Sequence, residues 1–125
     1  MDDPTRKPPR CRLPASRRLQ LSREFDRVRI EGRTVRGGLL MIGLLQPEGE
    51  SAFRVGFVTS RRVGGAVVRN RVRRRLREIV RRYQSALTSG LWLVVIARPA
   101  AARASSAALE DEWLRLTKRA SILRP

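Results

Sequence analysis

The sequence contains no histidine and only one cysteine, Cys11, in 125 residues. Histidine is the side chain most used for acid and base catalysis near neutral pH, and it is the most frequent metal ligand. A single cysteine allows neither an internal disulfide nor a thiolate metal cluster. We therefore predict no metal site in the chain, and the low cysteine content favours a reducing, cytoplasmic location.

Long apolar runs are also missing. None reaches the roughly 18 residues that a membrane-spanning helix needs. Residues 1–12 lack the apolar stretch of a signal peptide. We expect no membrane partner and no export.

Negative charge is scarce, with 11 acidic residues against 28 lysines and arginines, a formal net charge of +17. A hydrophobic fraction of 42% is too high for a disordered chain, and 125 residues suffice for one domain. The composition therefore predicts a single folded domain whose partner is a polyanion.

The chain divides into an arm and a domain. Residues 1–16 contain four of the seven prolines and little to bury, so we predict a flexible arm there and a folded domain over residues 17–125. Leu21, Phe25 and Val28 have the spacing of an amphipathic helix, which Gly32 would end.

Three apolar stretches predict strands, at residues 38–45, 53–60 and 91–97. The short turn between the first two favours an antiparallel hairpin. A long helical pattern covers residues 66–86, and Ser105 or Ser106 can cap a last helix. The order is helix, two or three strands, helix, strand, helix, so we predict an α+β sandwich with helices on a mixed sheet.

The helix at residues 66–86 carries the strongest charge pattern. Residues 69–82 read RNRVRRRLREIVRR, with eight arginines and one glutamate. At helical spacing the apolar residues form one stripe, and polar residues lie opposite it: Asn70, Arg73, Arg74, Arg77 and Arg81. Such a face repels itself unless an anion binds there.

The alternative for this helix is an ordinary solvated surface, since 26 of the 28 basic residues are arginine and coding bias would produce that. The charge, however, is concentrated, is not neutralised, and lies close to Arg61 and Arg62. Arginine also binds phosphate in a bidentate manner and stacks on exposed bases. We favour a nucleic-acid partner.

The stretch RVGFVTSRRVGGAVVRNRVRRRLRE, residues 54–78, resembles the signature region of the bacterial ribonuclease P protein subunit. That signature is a strand ending in two basic residues, a glycine-containing loop, and then an RNR motif on a helix. Weaker similarity extends from RLQLSREFDRV near the start to LWLVVIARPA and the last helix. The resemblance covers nearly all of the chain after the arm.

The resemblance implies an α/β sandwich of order αβββαβα with a left-handed βαβ crossover. It also implies a protein cofactor of a ribozyme. In that family the RNA subunit carries out Mg²⁺-dependent hydrolysis of precursor tRNA at its 5′ end, and the small basic protein binds the catalytic RNA and the 5′ leader. The implied partners are ribonuclease P RNA and precursor tRNA, with no obligate protein partner and no cofactor bound by the protein.

Site residues follow from the resemblance by position. The contacts with the catalytic RNA would be made by Arg61, Arg62, Arg69, Asn70, Arg71, Arg73, Arg74 and Arg77. The leader would bind between the first helix and the sheet, at Phe25, for which core packing is the alternative. Arg29 and Gly43 stand where many members have aromatics, so charge would replace some stacking there.

Two other functional classes explain part of the sequence. An independent enzyme is disfavoured because histidine is absent and the acidic residues form no metal-binding motif, so we predict no catalytic residue. A general RNA-binding or ribosome-associated protein, or a DNA-binding basic helix, would explain the charge but not the RVG, SRR and RNR sequences together. Glu78 is expected to pair with Arg74 or Arg82, and Trp92 and Trp113 are expected in the core.

Overall fold

The computed structural model describes residue 19 and residues 22–123, and the predicted arm lies outside them. Three α-helices and four strands follow one another in this part of the chain: α1 (Ser22–Glu31), β1 (Arg33–Arg36), β2 (Leu40–Leu45), β3 (Arg54–Val58), α2 (Ala66–Tyr83), β4 (Trp92–Ala97) and α3 (Ser106–Arg119). The α+β class and the order αβββαβα are confirmed. Short 3-10 turns follow α2 and β4, at Gln84–Ala86 and Pro99–Arg103.

The four strands form one mixed sheet of order β1-β2-β4-β3. β4 pairs antiparallel with β2 and parallel with β3. The predicted hairpin between β2 and β3 is therefore wrong: the two strands run in opposite directions, but β4 lies between them. In the central position both edges of β4 are hydrogen-bonded and both of its faces are covered. This position suits β4 because the strand is almost entirely apolar.

The two faces of the sheet carry different helices. Alternate residues of β4, Leu93 and Val95, join the larger core under α2 and α3. The intervening Trp92 and Val94 form a smaller core with Leu19 and Val28 under α1. Continuous apolar strands are thus explained by helices on both faces. Trp113 is fully buried and Trp92 is 7% exposed, which confirms both as core residues.

α3 is fixed to the sheet by two polar contacts. Its N-cap is Ser105, one of the two serines that the sequence offered, and the Ser105 Oγ accepts a hydrogen bond from Ala108 N at 3.1 Å. Its buried Glu112 accepts hydrogen bonds through Oε2 from the backbone N–H groups of Leu39 and Leu40, at 2.5 and 2.6 Å. The carboxylate thereby holds the turn between β1 and β2 against the helix.

The connection from β3 to the parallel strand β4 runs through α2. Gly64 in the loop before α2 has φ of +150°, and a Cβ there would lie 3.0 Å from Val68, so the loop requires glycine. The left hand of this crossover stays a prediction from the family resemblance. Within residues 22–123 no helix is both long and apolar enough to cross a membrane.

Candidate nucleic-acid interface

The apolar stripe of α2 packs as its spacing predicts. Val72, Leu76, Ile79 and Val80 are buried. Gly65 occupies the N-cap without a side-chain hydrogen bond, and the first turn holds no acidic residue. The arginines of α2 are therefore concentrated on the remaining surface of the helix.

One side of that surface faces the end of β3; we call it the β3 flank, formed by Asn70, Arg73 and Arg77. Arg73 donates through Nη2 to Thr59 Oγ1 at 2.6 Å and through Nη1 to Asn70 Oδ1 at 3.0 Å. The guanidinium carbon of Arg77 lies 6.0 Å from the centre of the Phe57 ring. These contacts orient the guanidinium groups, and the partners of Arg73 are neutral, so its charge is not cancelled.

The opposite side faces the segment leading into α3; we call it the α3 flank, formed by Arg71, Arg75 and Arg82. Arg71 and Arg75 donate through Nη2 and Nη1 to the carbonyl oxygens of Ala102 and Ala104, each at 3.0 Å. Arg82 is paired with Glu110 of α3. Arg71, which the RNR resemblance assigns to RNA binding, thus also anchors the turn before α3.

The remaining predicted contacts surround these flanks. Arg61 and Arg62 are exposed in the turn that follows β3, and the hydrogen bond between Arg73 and Thr59 ties the start of this segment to α2. Arg74 is exposed, and Arg69 is half-buried. Glu78 pairs with Arg81, three residues further on, and its pairing with Arg74 or Arg82 stays a prediction.

A second candidate surface lies on the face of the sheet that carries α1. Phe25 is half-buried there and packs against the smaller core. Its ring approaches the backbone of Gly56 so closely that a Cβ on that glycine would lie 2.5 Å from Phe25 Cζ. Arg29 is exposed and pairs with Asp26 at 3.4 Å. Phe25 therefore packs on the sheet, whereas Arg29 lies in solvent.

Two arginines that the sequence analysis did not single out flank Trp92 on this face. The guanidinium carbons of Arg27 and Arg54 lie 5.5 and 5.7 Å from the ring centre. Arg54 Nη1 also binds Glu24 Oε2 at 3.1 Å. Strand register pairs Arg54 with Trp92, but this neighbourhood becomes visible only when β3 is known to lie beside β4.

Acidic side chains in the described part of the chain do not converge. No group of three or more carboxylate or thiol ligands close enough for a metal ion occurs there. The polar chemistry of both surfaces is that of guanidinium groups, which bind anions and stack on flat rings. Such surfaces suit phosphates and bases.

Comparison with known proteins agrees with this chemistry. The family model Ribonuclease P matches residues 13–121. The ribonuclease P protein component of Brevibacillus brevis is 38% identical over 109 residues, covering 87% of this chain and 86% of that protein. Its counterpart from Acidothermus cellulolyticus is 44% identical over 108 residues, covering 86% and 90%.

Solved structures match as well. The RNase P protein of Thermotoga maritima superposes with a TM-score of 0.73 at 30% identity, covering 82% of this chain and 96% of that one. The Staphylococcus aureus protein gives a TM-score of 0.80, covering 86% and 98%, and at 23% identity it supports the fold. Sequence and fold together show that the chain belongs to the ribonuclease P protein family.

Proposed function

We propose that this chain is the protein subunit of a ribonuclease P holoenzyme. It binds the catalytic RNA through α2 and the loop before it, and it binds the 5′ leader of precursor tRNA on the face that carries α1. The RNA performs the hydrolysis that removes the leader. The observation that carries the proposal is the fixed, unneutralised Arg73 on the β3 flank of a family member.

The β3 flank supports binding of the catalytic RNA. Arg73 is held by the Thr59 hydroxyl and the Asn70 amide, which are neutral, so it offers a full positive charge in a fixed orientation. A preorganised guanidinium loses less side-chain entropy when it meets a phosphate. Arg77 lies one helical turn from Arg73, and Arg61 and Arg62 follow closely after Thr59, to which Arg73 is hydrogen-bonded. This set of cations suits a folded RNA backbone.

The face that carries α1 supports binding of a single-stranded leader. A row of half-buried apolar residues crosses the sheet there, with Met41, Ile96 and Val58 in register on β2, β4 and β3. Arg36 of β1 continues the row. Apolar surface for bases beside cations for phosphates is the usual composition of a single-strand site. Phe25 and Arg29 are the proposed leader contacts on α1.

We assign the chemistry to the RNA. Histidine is absent from the sequence, and no side-chain set within residues 22–123 fits a resident metal ion. The Mg²⁺ that the RNA-catalysed reaction requires would be held by RNA. We place the holoenzyme in the cytoplasm, in keeping with the single cysteine.

The test is cleavage of a precursor tRNA by a transcribed bacterial ribonuclease P RNA at low magnesium, with and without the protein. We expect the mature 5′ end, identified by sequencing, to form at low magnesium only when the protein is present. Arg73→Ala should reduce this stimulation. Lys118 is an exposed cation on α3, and Lys118→Ala should not reduce it. Tight, salt-sensitive binding without stimulation by a matched RNA would favour a general RNA-binding protein.

A further inference from the structure

A groove of about 600 Å³ lies between α2 and α3. It shares no lining residue with the β3 flank or with the face that carries α1. Charged side chains dominate its walls: Arg74, Arg75, Glu78, Arg81, Arg82 and Glu110. The first turn of α3 completes the lining with the small residues Ser106 and Ala107.

The groove carries an excess of positive charge. Four arginines line it against two glutamates, which leaves two positive charges without an acidic counterpart. Arg82 is paired with Glu110 but is still 51% exposed, and Arg75 is bound to the neutral carbonyl of Ala104. Glu110 also accepts a hydrogen bond from Tyr83 at 3.2 Å, which fixes its carboxylate in the wall. Ion pairs at the surface are worth little, so a phosphate can compete for these arginines.

The inner part of the groove lies on the opposite side of α2 from the β3 flank, whereas Arg74 and Arg81 stand at the rim between the two surfaces. Arg73 and Arg82 are nine residues apart, which at about 100° per residue places them on opposite sides of the helix. A helix with its side chains is about 10–12 Å across, so a strand that follows the β3 flank does not reach Arg82 without leaving that flank. An RNA that contacts Arg73 and Arg82 at once must therefore approach α2 from two sides.

We propose that the groove between α2 and α3 binds the phosphate backbone of a second segment of the catalytic RNA, so that α2 is held between two RNA segments. The inference rests on the proposed function. All four guanidinium groups lie on the α2 wall, and they suit phosphate oxygens. Ile79 and Ala107 are the only apolar residues in the lining, so the groove lacks the large apolar anchors that a peptide would require.

The experiment uses the full chain with transcribed bacterial ribonuclease P RNA. The variant Arg75→Gln/Arg82→Gln removes two cations, and Ala107→Glu adds a carboxylate to the groove. Because the first turn of α3 holds no acidic residue, Ala107→Glu favours the helix dipole and should keep or raise the thermal midpoint. A loss of binding by that variant is then not a loss of folding. Lys118→Glu is the control for charge.

We expect both groove variants to weaken RNA binding about tenfold. The salt slope of the Arg75→Gln/Arg82→Gln variant should fall by about 2. Hydroxyl-radical footprinting should show that the groove variants no longer protect one RNA segment, and that Arg73→Ala/Arg77→Ala no longer protects a different one.

Unchanged affinity and footprint in Ala107→Glu would overturn the groove inference while leaving the β3 flank intact. Exposure of the same RNA segment in the groove variants and in Arg73→Ala/Arg77→Ala would also overturn it. Failure of the unmodified protein to stimulate cleavage would instead contradict the proposed function. The cleavage assay measures that outcome separately from RNA binding and footprinting.

Discussion

The ring of Phe25 on α1 occupies the space that a side chain on Gly56 of β3 would fill. A Cβ on Gly56 would lie 2.5 Å from Phe25 Cζ and 3.2 Å from Leu19 Cβ. Gly56 has no positive φ, so the position requires glycine for space and not for backbone conformation. The glycine of the RVG sequence therefore allows α1 to pack closely against β3. It also determines how near the sheet the Phe25 ring of the proposed leader surface lies.

This contact predicts non-additive effects on stability. Gly56→Ala should lower the free energy of unfolding by about 1–3 kcal/mol, because the ring must move. In the background of Phe25→Ala the added methyl group meets no ring, so the same change should cost about 1 kcal/mol less. Urea unfolding of the two single variants and the double variant measures the difference. Gly38→Ala, where a Cβ meets nothing within 4 Å, is the control. Strict additivity would show that the ring does not occupy this space in solution.

Phe25→Ala should also discriminate between the two forms of the substrate. If a leader base stacks on the ring, its loss should weaken binding of precursor tRNA by about 1–3 kcal/mol and leave mature tRNA unaffected. Equilibrium binding of both RNAs to the holoenzyme provides the measurement. An equal loss for precursor and mature tRNA would identify Phe25 as a packing residue alone.

The β3 flank predicts a change in salt dependence. Arg73→Ala/Arg77→Ala should lower the slope of log affinity against log salt by about 2, one unit for each phosphate that is no longer neutralised. The fold should remain, because both side chains lie outside the apolar stripe of α2. Filter binding of catalytic RNA across a salt series measures the slope, with Arg23→Ala on the exposed side of α1 as control. A slope equal to that of the unmodified protein would exclude this flank from the phosphate contacts.

Glu112 predicts a stability effect unconnected with RNA. Glu112→Ala removes the acceptor for the backbone N–H of Leu40, which is completely buried, and should cost about 1–3 kcal/mol of unfolding free energy. Glu112→Gln retains an oxygen acceptor and should cost less. Denaturant unfolding compares these variants with Asp111→Ala, a neighbouring exposed acid. Equal stability of Glu112→Ala and Asp111→Ala would refute the role of the carboxylate.

Local pattern was sufficient to predict α2, because its apolar residues recur at helical spacing and Val72, Leu76, Ile79 and Val80 are all buried in the structure. The start of α3 followed from capping chemistry at Ser105 in the same way. The helical wheel did not predict that the arginines divide into two flanks. That division depends on Thr59 on one side and on the carbonyls of Ala102 and Ala104 on the other. All three residues are distant from their arginine partners in sequence, and no motif marks them.

Strand pairing shows the same dependence on distant residues. β1 has the sequence RTVR with one apolar side chain, too little for a strand to be recognised, and it is held by pairing with β2 and by Arg119, which donates to Arg36 O at 3.3 Å. The hairpin between β2 and β3 was predicted from a short turn. The turn instead bridges the width of β4, a strand that occurs more than thirty residues later.

The position of β4 in the sheet determines when α2 acquires a fixed position during synthesis. β3 has no strand partner in the described sheet other than β4, and α2 packs on the layer that β4 completes. In a nascent chain that ends after α2, β4 is therefore missing, and β3 and α2 are not yet joined to the β1–β2 part of the sheet. Because such long-range pairing forms late, the guanidinium groups acquire fixed positions only once residues 92–97 have left the ribosome. The oriented arginines that we propose to contact RNA are thus available only after β4 has been synthesised.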